Sequence, residues 1–311
     1  MLVEEELSLI QPKRNTVITI GVFDGVHLGH RLLISKVKEK AADKGLESAV
    51  VTFLHHPRLI LGHQSHITFI TTIEERVKLL KSLGMDHVVA LSFTHELARL
   101  NAREYIGLMI KYLKMRELVV GPDFALGKGR EGNIPSLQSL SGVLGFGIEV
   151  VPPLLSQGEV ISSTAIRGAL ARGEIGKINK FLGRRFSFSG QVEHGDARGK
   201  TLGYPTANLL PEEEQAIPAD GVYACYAVLD NTRYKVVLNI GVRPTFRGER
   251  HLIEAHIMDF SGNIYGQELT IELVDRLRDE MKFPGPEELK AQLSKDVELA
   301  KVLLEKSNTA I

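Results

Sequence analysis

The sequence predicts a doubly wound α/β domain followed by a small antiparallel β-barrel or sandwich that is covered by a C-terminal helix. Three observations carry this. From residue 16 to about 183, apolar runs rich in β-branched residues alternate with stretches of helical period, which is how a parallel sheet with crossover helices reads. After Gly183-Arg184-Arg185 the texture changes to short strands separated by Gly, Pro, Asn and Asp. The chain then closes on one long amphipathic segment.

The expected parallel strands are 16–23, 47–53, 87–93, 116–121 and 147–152. Between them lie helical segments near 29–44, 72–84 and 101–115, the second opening on the capping-box pattern Thr72-x-x-Glu75, and further helices follow 162 and 174. In the second half, strands are expected near 186–194, 221–230, 232–240, 251–259 and 268–276. The helix near 286–306 carries Leu289, Leu293, Val297, Ala300 and Leu304 on one stripe, fit to cover one side of the barrel. The switch of period places the boundary so that the domains are 1–184 and 185–311.

Composition narrows the function. A chain of 311 residues with 43% hydrophobic and 24% charged content is globular and long enough for two cores, which excludes disorder and fibres. Thirty-eight basic residues balance thirty-eight acidic ones, so no bulk field gathers polyanions, and neither nucleic acid nor membrane is expected as a partner. The single cysteine, Cys225, makes neither an internal disulfide nor a thiolate metal site and reads as a small strand-core residue in a reducing compartment. The N-terminus has no secretion-signal pattern, and no apolar run reaches the ~18 residues needed to span a bilayer. The expected location is the cytoplasm.

Two constellations carry chemistry. In the first, a buried-type strand runs into Asp24-Gly-Val-His-Leu-Gly-His30 just before a helix. A helix starting at the carboxyl end of a first strand aims its free N–H groups and positive dipole at the crevice, where phosphate is the usual occupant. His27 and His30, three apart on the first turn, can both face that occupant and donate to phosphoryl oxygens. An isolated His-x-x-His is more often a polar cap, and with no third ligand nearby it is a weak metal site. Further along, hydroxyls at Ser162, Ser163 and Thr164 open a helix with Arg167 one turn in, able to clamp phosphate.

In the second constellation, Gly195-Asp-Ala-Arg-Gly199-Lys200-Thr201 is not a P-loop, because its first glycine is one position too close and Leu-Gly-Tyr-Pro follows instead of a helix. It reads as a glycine-rich phosphate loop leading to Pro205-Thr206-Ala207-Asn208 in a turn, with Thr206 and Asn208 as hard oxygen ligands suited to Mg²⁺. Ile253, Ala255 and Ile257 form an apolar strand face, so Glu254 and His256 point the other way. A carboxylate there can take the proton of an attacking hydroxyl, although by itself it is more often a solvent-face Glu.

His27-Leu-Gly-His30 with Ser162-Ser-Thr-Ala-Ile-Arg167 resembles the nucleotidyltransferase superfamily. The order of motifs over residues 16–300 resembles the bacterial bifunctional riboflavin kinase/FMN adenylyltransferases, the FAD synthetases. Carrying it in the first half are Gly21-Val-Phe-Asp-Gly-Val-His-Leu-Gly-His30, Thr52-Phe-Leu-His-His-Pro57, Val120-Gly-Pro-Asp-Phe124 and Ile161-Ser-Ser-Thr-Ala-Ile-Arg167. The second half adds Gly199-Lys-Thr-Leu-Gly-Tyr-Pro-Thr-Ala-Asn208, Gly221-Val-Tyr223, Asn239-Ile-Gly-Val-Arg-Pro-Thr245, and Glu254-Ala-His256 through Tyr265-Gly266.

The resemblance implies a Rossmann-like nucleotidyltransferase domain that transfers AMP from ATP to FMN, and a six-stranded riboflavin kinase barrel that makes FMN from riboflavin and ATP. It assigns catalysis to His27, His30 and Arg167 in the first domain and to Glu254, the base, in the second. Gly21, Phe23, Asp24, Gly29, Ser162, Ser163, Thr164, Gly199, Lys200, Gly203 and Thr206 become ATP contacts, Phe53, His56 and Asp123 flavin contacts, and Thr206 and Asn208 the Mg²⁺ ligands. Asp24 would hold the loop or assist the metal. The chain departs from the family's usual pattern at His55, Leu126 and Asn133. The alternatives are one activity with the other domain as a binding module, a non-catalytic flavin sensor, and an adenylyltransferase for pantetheine phosphate or a nicotinamide nucleotide.

Overall fold

A computed structural model describes residues 2–62, 68–194, 202–212, 214–230, 232–245 and 248–308. The chain divides into two compact units, Met1–Ser163 and Thr164–Ile311. In the first, strands β1 (Thr16–Ile20), β2 (Glu47–Phe53), β3 (His87–Leu91), β4 (Met115–Val120) and β7 (Gly147–Val150) form one sheet in the order β3-β2-β1-β4-β7. All its pairings are parallel. Two small hairpins, β5–β6 (Ala125–Leu126, Gly132–Asn133) and β8–β9 (Leu155–Ser156, Glu159–Val160), stand apart from it.

Alternation along the strands builds a core on each face of the sheet. Ile18, Ala49, Val51, Leu118 and Val120 pack with helices α1 (Leu2–Ser8), α5 (His95–Arg99), α6 (Ala102–Leu113) and α7 (Ile134–Leu144). Val17, Val50 and Val119 pack with α2 (Leu28–Lys44) and α4 (Ile73–Ser82), and a single turn, α3 (Pro57–Ile60), follows β2. The crossover helices start and stop where local chemistry dictates. Gly45 ends α2 in the left-handed region at φ 64°, Thr72 Oγ1 accepts from Glu75 N to cap α4, and Asn101 with Glu104 forms a full capping box on α6.

The first strand ends sooner than its apolar run. Gly21 N still donates to Val51 O of β2 at 3.0 Å, but β1 ends at Ile20 and residues 22–23 leave the sheet because the chain turns into left-handed backbone at Phe23 (φ 54°), Gly25 (φ 80°) and Val26 (φ 39°). Helix α7 begins at Asn133, whose Oδ1 accepts from Ser136 N at 3.1 Å, so that departure from the family pattern serves as a helix cap.

In the second unit, α8 (Ser163–Leu170, shared at its first residue) and α9 (Ile175–Leu182) precede a closed barrel. Its strands run β10 (Ser187–Glu193), β11 (Ala207–Pro211), β14 (Gly248–Ile257), β13 (Thr232–Thr245), β12 (Gly221–Leu229) and β15 (Glu268–Arg278), all antiparallel, back to β10. Closure settles barrel over sandwich and leaves no open edge in this sheet.

The Pro205–Asn208 segment, expected as a turn, feeds β11, and Asn208 lies within that strand. Prolines and glycines around it signal a turn locally. What makes it a strand is pairing with β10 and β14, which no local pattern announces. The last helix, α10 (Pro286–Asn308), lays Ala300 and Leu304 on the outward residues Val222, Ala224 and Tyr226. Its stripe includes an acid, Asp296, which is 2% exposed and takes a bidentate pair from Arg278 Nε and Nη2. Cys225 is wholly buried and burial pushes its thiol up, an inert core residue as expected. No helix among the described residues is long and apolar enough to cross a membrane.

Candidate active sites

The sheet order reverses direction between β1 and β4, and in such sheets the crevice outside the carboxyl ends at that point takes the ligand. Gly21, Phe23, Asp24, His27 and His30 all follow the carboxyl end of β1 there. Phe53 ends β2, and Asp123 lies three residues past the end of β4. The loop between β1 and α2 is strained, since an aromatic and a β-branched residue at positive φ each cost about 1–3 kcal/mol. Surrounding contacts hold it. Thr52 Oγ1 donates to Val22 O at 2.8 Å, and Ser163 Oγ donates to Asp24 O at 2.9 Å.

Asp24 is 2% exposed, and its carboxylate accepts from Ile70 N (3.0 and 3.1 Å) and Thr71 N (3.2 Å), while Thr71 Oγ1 accepts from Gly25 N (3.0 Å). The carboxylate therefore fastens the loop to the segment before α4. Thr71 has no signal in the sequence, because a threonine one residue before a cap looks like any turn residue.

His27 caps α2, its Nδ1 accepting from His30 N at 3.3 Å, and the two imidazoles stack at 3.6 Å between centroids. Phe23 closes on His30 edge-on at 5.1 Å. The stack leaves no room beside it, since a Cβ at Gly29 would come within 3.1 Å of the His27 ring and of Ile161 O. Burial first, then the neighbouring His27 and Arg76, holds His30 well below the ordinary imidazole range, so it is neutral at pH 7. A neutral ring still donates one N–H, which suits an environment that stabilises developing charge without supplying a proton.

Of the residues expected to contact flavin, Phe53 is buried edge-on against Phe93 at 5.4 Å, His56 lies tilted 6.1 Å from Phe69, and Asp123 is exposed. Ser162 and Ser163 stand at the start of α8, while Thr164 and Arg167 belong to the second unit's part of that helix. Arg76, 1% exposed and the largest fully buried side chain among the described residues, was not foreseen, because an arginine on an amphipathic helix ordinarily faces water.

In the barrel, Glu193, Asn208, Glu254 and Asn239 occupy directly opposed positions on the four neighbouring strands β10, β11, β14 and β13. Directly opposed residues share a face with Cβ atoms about 4.5–5.5 Å apart. Their neighbours Val192, Leu209, Ile253 and Leu238 point into the barrel, so this polar row runs along its outside. Thr206 lies two residues before Asn208, and its segment is fastened by His256 Nδ1, which donates to Pro205 O at 2.8 Å. A hydroxyl and an amide oxygen beside a carboxylate make a hard-oxygen set that suits a small divalent cation shared with phosphates. No group of three or more His, Cys, Asp or Glu that could hold a metal occurs among the described residues.

Gly203 takes left-handed backbone at φ +87° with open space where a Cβ would stand, and Gly199 and Lys200 lie outside the described residues. Glu193 and Asn239 emerge as members of the row only through register, although Asn239 belongs to a motif visible in the sequence. His194 stacks on Tyr265 at 3.8 Å beside an open groove.

An α/β unit with paired histidines at its first crossover, joined to a closed barrel with a polar Asn/Glu row, defines a two-site nucleotide-dependent transferase. Comparison with known proteins gives the family. FAD synthetase matches residues 9–165 and riboflavin kinase residues 182–304. The chain belongs to the bifunctional riboflavin kinase/FMN adenylyltransferase family.

Curated relatives of that name include those of Escherichia coli K12, 37% identical with 92% of this chain and 91% of that protein covered, and Bacillus subtilis 168, 37% identical with 92% of each covered. A crystal structure described as a macrolide-efflux protein from Streptococcus pneumoniae superposes at a TM-score of 0.88 with 31% identity over 97% of each chain. It shares the fold over nearly its whole length.

Proposed function

We propose that this chain makes both flavin nucleotides: its C-terminal barrel phosphorylates riboflavin to FMN, and its N-terminal α/β domain joins FMN to the AMP of ATP, giving FAD and pyrophosphate. Both activities belong to the family, whose reactions depend on ATP. The observation that supports the reading is that one chain carries both family domains, with the stacked His27–His30 pair after β1 of the first and the opposed Asn208–Glu254 pair on the barrel of the second. Both motif sets are present, against the single-activity and sensor alternatives, and the C-terminal riboflavin kinase domain disfavours an adenylyltransferase for pantetheine phosphate or a nicotinamide nucleotide.

Phosphorylation begins from a neutral alcohol. Glu254 accepts the ribityl hydroxyl proton as that oxygen attacks the γ-phosphorus of ATP, and ADP leaves. Asn208 and Thr206 hold Mg²⁺, which neutralises phosphate charge when bound. Gly199, Lys200 and Gly203 belong to the loop that wraps the nucleotide.

Adenylyl transfer begins from an FMN phosphate already anionic at neutral pH, so its attack on the α-phosphorus needs no base. His27, His30 and Arg167 donate to the oxygens on which charge develops, and Ser162, Ser163 and Thr164 with the loop at Gly21, Phe23 and Gly29 position the triphosphate, Gly21 through close backbone approach because its N–H donates to Val51 O. Asp24 acts by locking that loop. Phe53, His56 and Asp123 line the flavin side. The functional boundary is assigned to 184/185, where the hydrophobic period switches, just inside the riboflavin kinase match that starts at residue 182, and the cytoplasm is the expected location.

The test is to incubate purified protein with riboflavin, ATP and Mg²⁺ and resolve products over time. FMN should rise first and FAD follow, with one ADP and one pyrophosphate per FAD. FMN that never proceeds to FAD would leave a kinase alone.

A further inference from the structure

Arg76 occupies a place that packing alone does not explain. A leucine or methionine would fill the volume without a buried charge, and replacing buried charges with apolar side chains is often neutral or stabilising. Two of the contacts of the guanidinium bear on the strand end and on an aromatic ring. Nη1 donates to Phe53 O, the last carbonyl of β2, at 3.1 Å, and the group lies over the Phe69 ring at 5.1 Å from its centroid. Phe69 in turn faces His56 at 6.1 Å. One rigid, planar cation thus ties together the strand end and the ring that support Phe53 and His56, and its charge is also felt at His30.

We propose that Arg76 is a positioning residue for FMN in adenylyl transfer, setting Phe53 and the Phe69–His56 rings in place for the flavin nucleotide. The proposal rests on the flavin-side assignment of Phe53 and His56. Lysine preserves the charge but cannot both reach a carbonyl and lie flat on a ring, so Arg76→Lys isolates geometry from charge, while Arg76→Met retains length and removes both.

Steady-state FMN adenylylation is measured for wild type, Arg76→Lys, Arg76→Met and His56→Ala, with riboflavin phosphorylation and thermal unfolding followed on the same preparations. Arg76→Lys should raise the KM for FMN about tenfold with kcat within about threefold and the KM for ATP within about twofold, and Arg76→Met should raise the FMN KM at least as far. Wild-type FMN KM values in both Arg76 variants overturn the proposal. So do KM values for FMN and ATP that rise in parallel with a falling melting temperature, or loss of the folded first unit in both variants, because each assigns Arg76 to packing. A raised FMN KM in His56→Ala with a wild-type value in Arg76→Lys removes the proposal alone, whereas wild-type values in both remove the flavin-side assignment as well.

Discussion

Asn208 and Glu254 face each other at the same register position of two adjacent antiparallel strands, β11 and β14, and leave the barrel on its outer side. An amide oxygen that can hold a cation and a carboxylate that can hold a proton are therefore fixed by backbone pairing, with no reliance on loops. Asn208→Ala should weaken Mg-ATP use in riboflavin phosphorylation by about 10–100-fold, shown as a raised Mg²⁺ requirement, and leave FMN adenylylation intact. An unchanged Mg²⁺ titration would remove Asn208 from the metal.

Asp24 gives a second test. Its oxygens accept from the backbone N–H groups of Ile70 and Thr71, so the amide NH₂ of an Asp24→Asn variant would confront donors with a donor. A buried charge-assisted bond is worth about 1.5–3 kcal/mol, and the first unit should lose about that much stability in urea titration, with adenylylation falling and phosphorylation retained. An unchanged urea midpoint would contradict the loop-lock role.

His30 sets a pH dependence. Its folded value is depressed by burial first, so the folded unit stays unprotonated while an unfolded chain takes up a proton near pH 6.5. The contribution is fully present above about pH 6.5 and is lost as pH falls toward the depressed folded value. Urea midpoints at pH 7.5 and 5.5 should fall further for wild type than for His30→Asn. Equal losses would assign the acid sensitivity elsewhere.

Asp296 tests the barrel's cover. With Arg278 and Gln292 Nε2 (2.8 Å) both donating to the buried Asp296 carboxylate and Arg278 itself partly exposed, Asp296→Ala leaves the guanidinium short of its main partner and should destabilise the barrel unit by about 2–3 kcal/mol, read by denaturation followed by circular dichroism. A loss under about 1 kcal/mol would make α10 a purely apolar cover.

Much of this architecture is legible in the residues themselves. Strands β1 and β2 announce themselves because a central parallel strand is apolar on both faces, and α10 because its stripe recurs at helical spacing. The paired histidines gain meaning from the strand before them and the helix after them. What escapes are the features made by partners distant in sequence. Asn208 sits in a strand only because β10 and β14 flank it, Glu193 joins the polar row only through register, and Arg76 reads as a surface residue until the helix is docked with that face inward. The end of β1 escapes for another reason. Val22 and Phe23 look like strand, and only the contacts from Thr52 and the strained turn reveal that the chain has already left the sheet.

Two activities on one chain should be separable by one substitution, Glu254→Gln. Two incubations with ATP and Mg²⁺, one started from riboflavin and one from FMN, are resolved by chromatography. FAD should form from FMN at the wild-type rate, with no detectable FMN or FAD from riboflavin. FMN accumulating from riboflavin, or FAD lost from the FMN incubation while the protein remains folded, would contradict that separation.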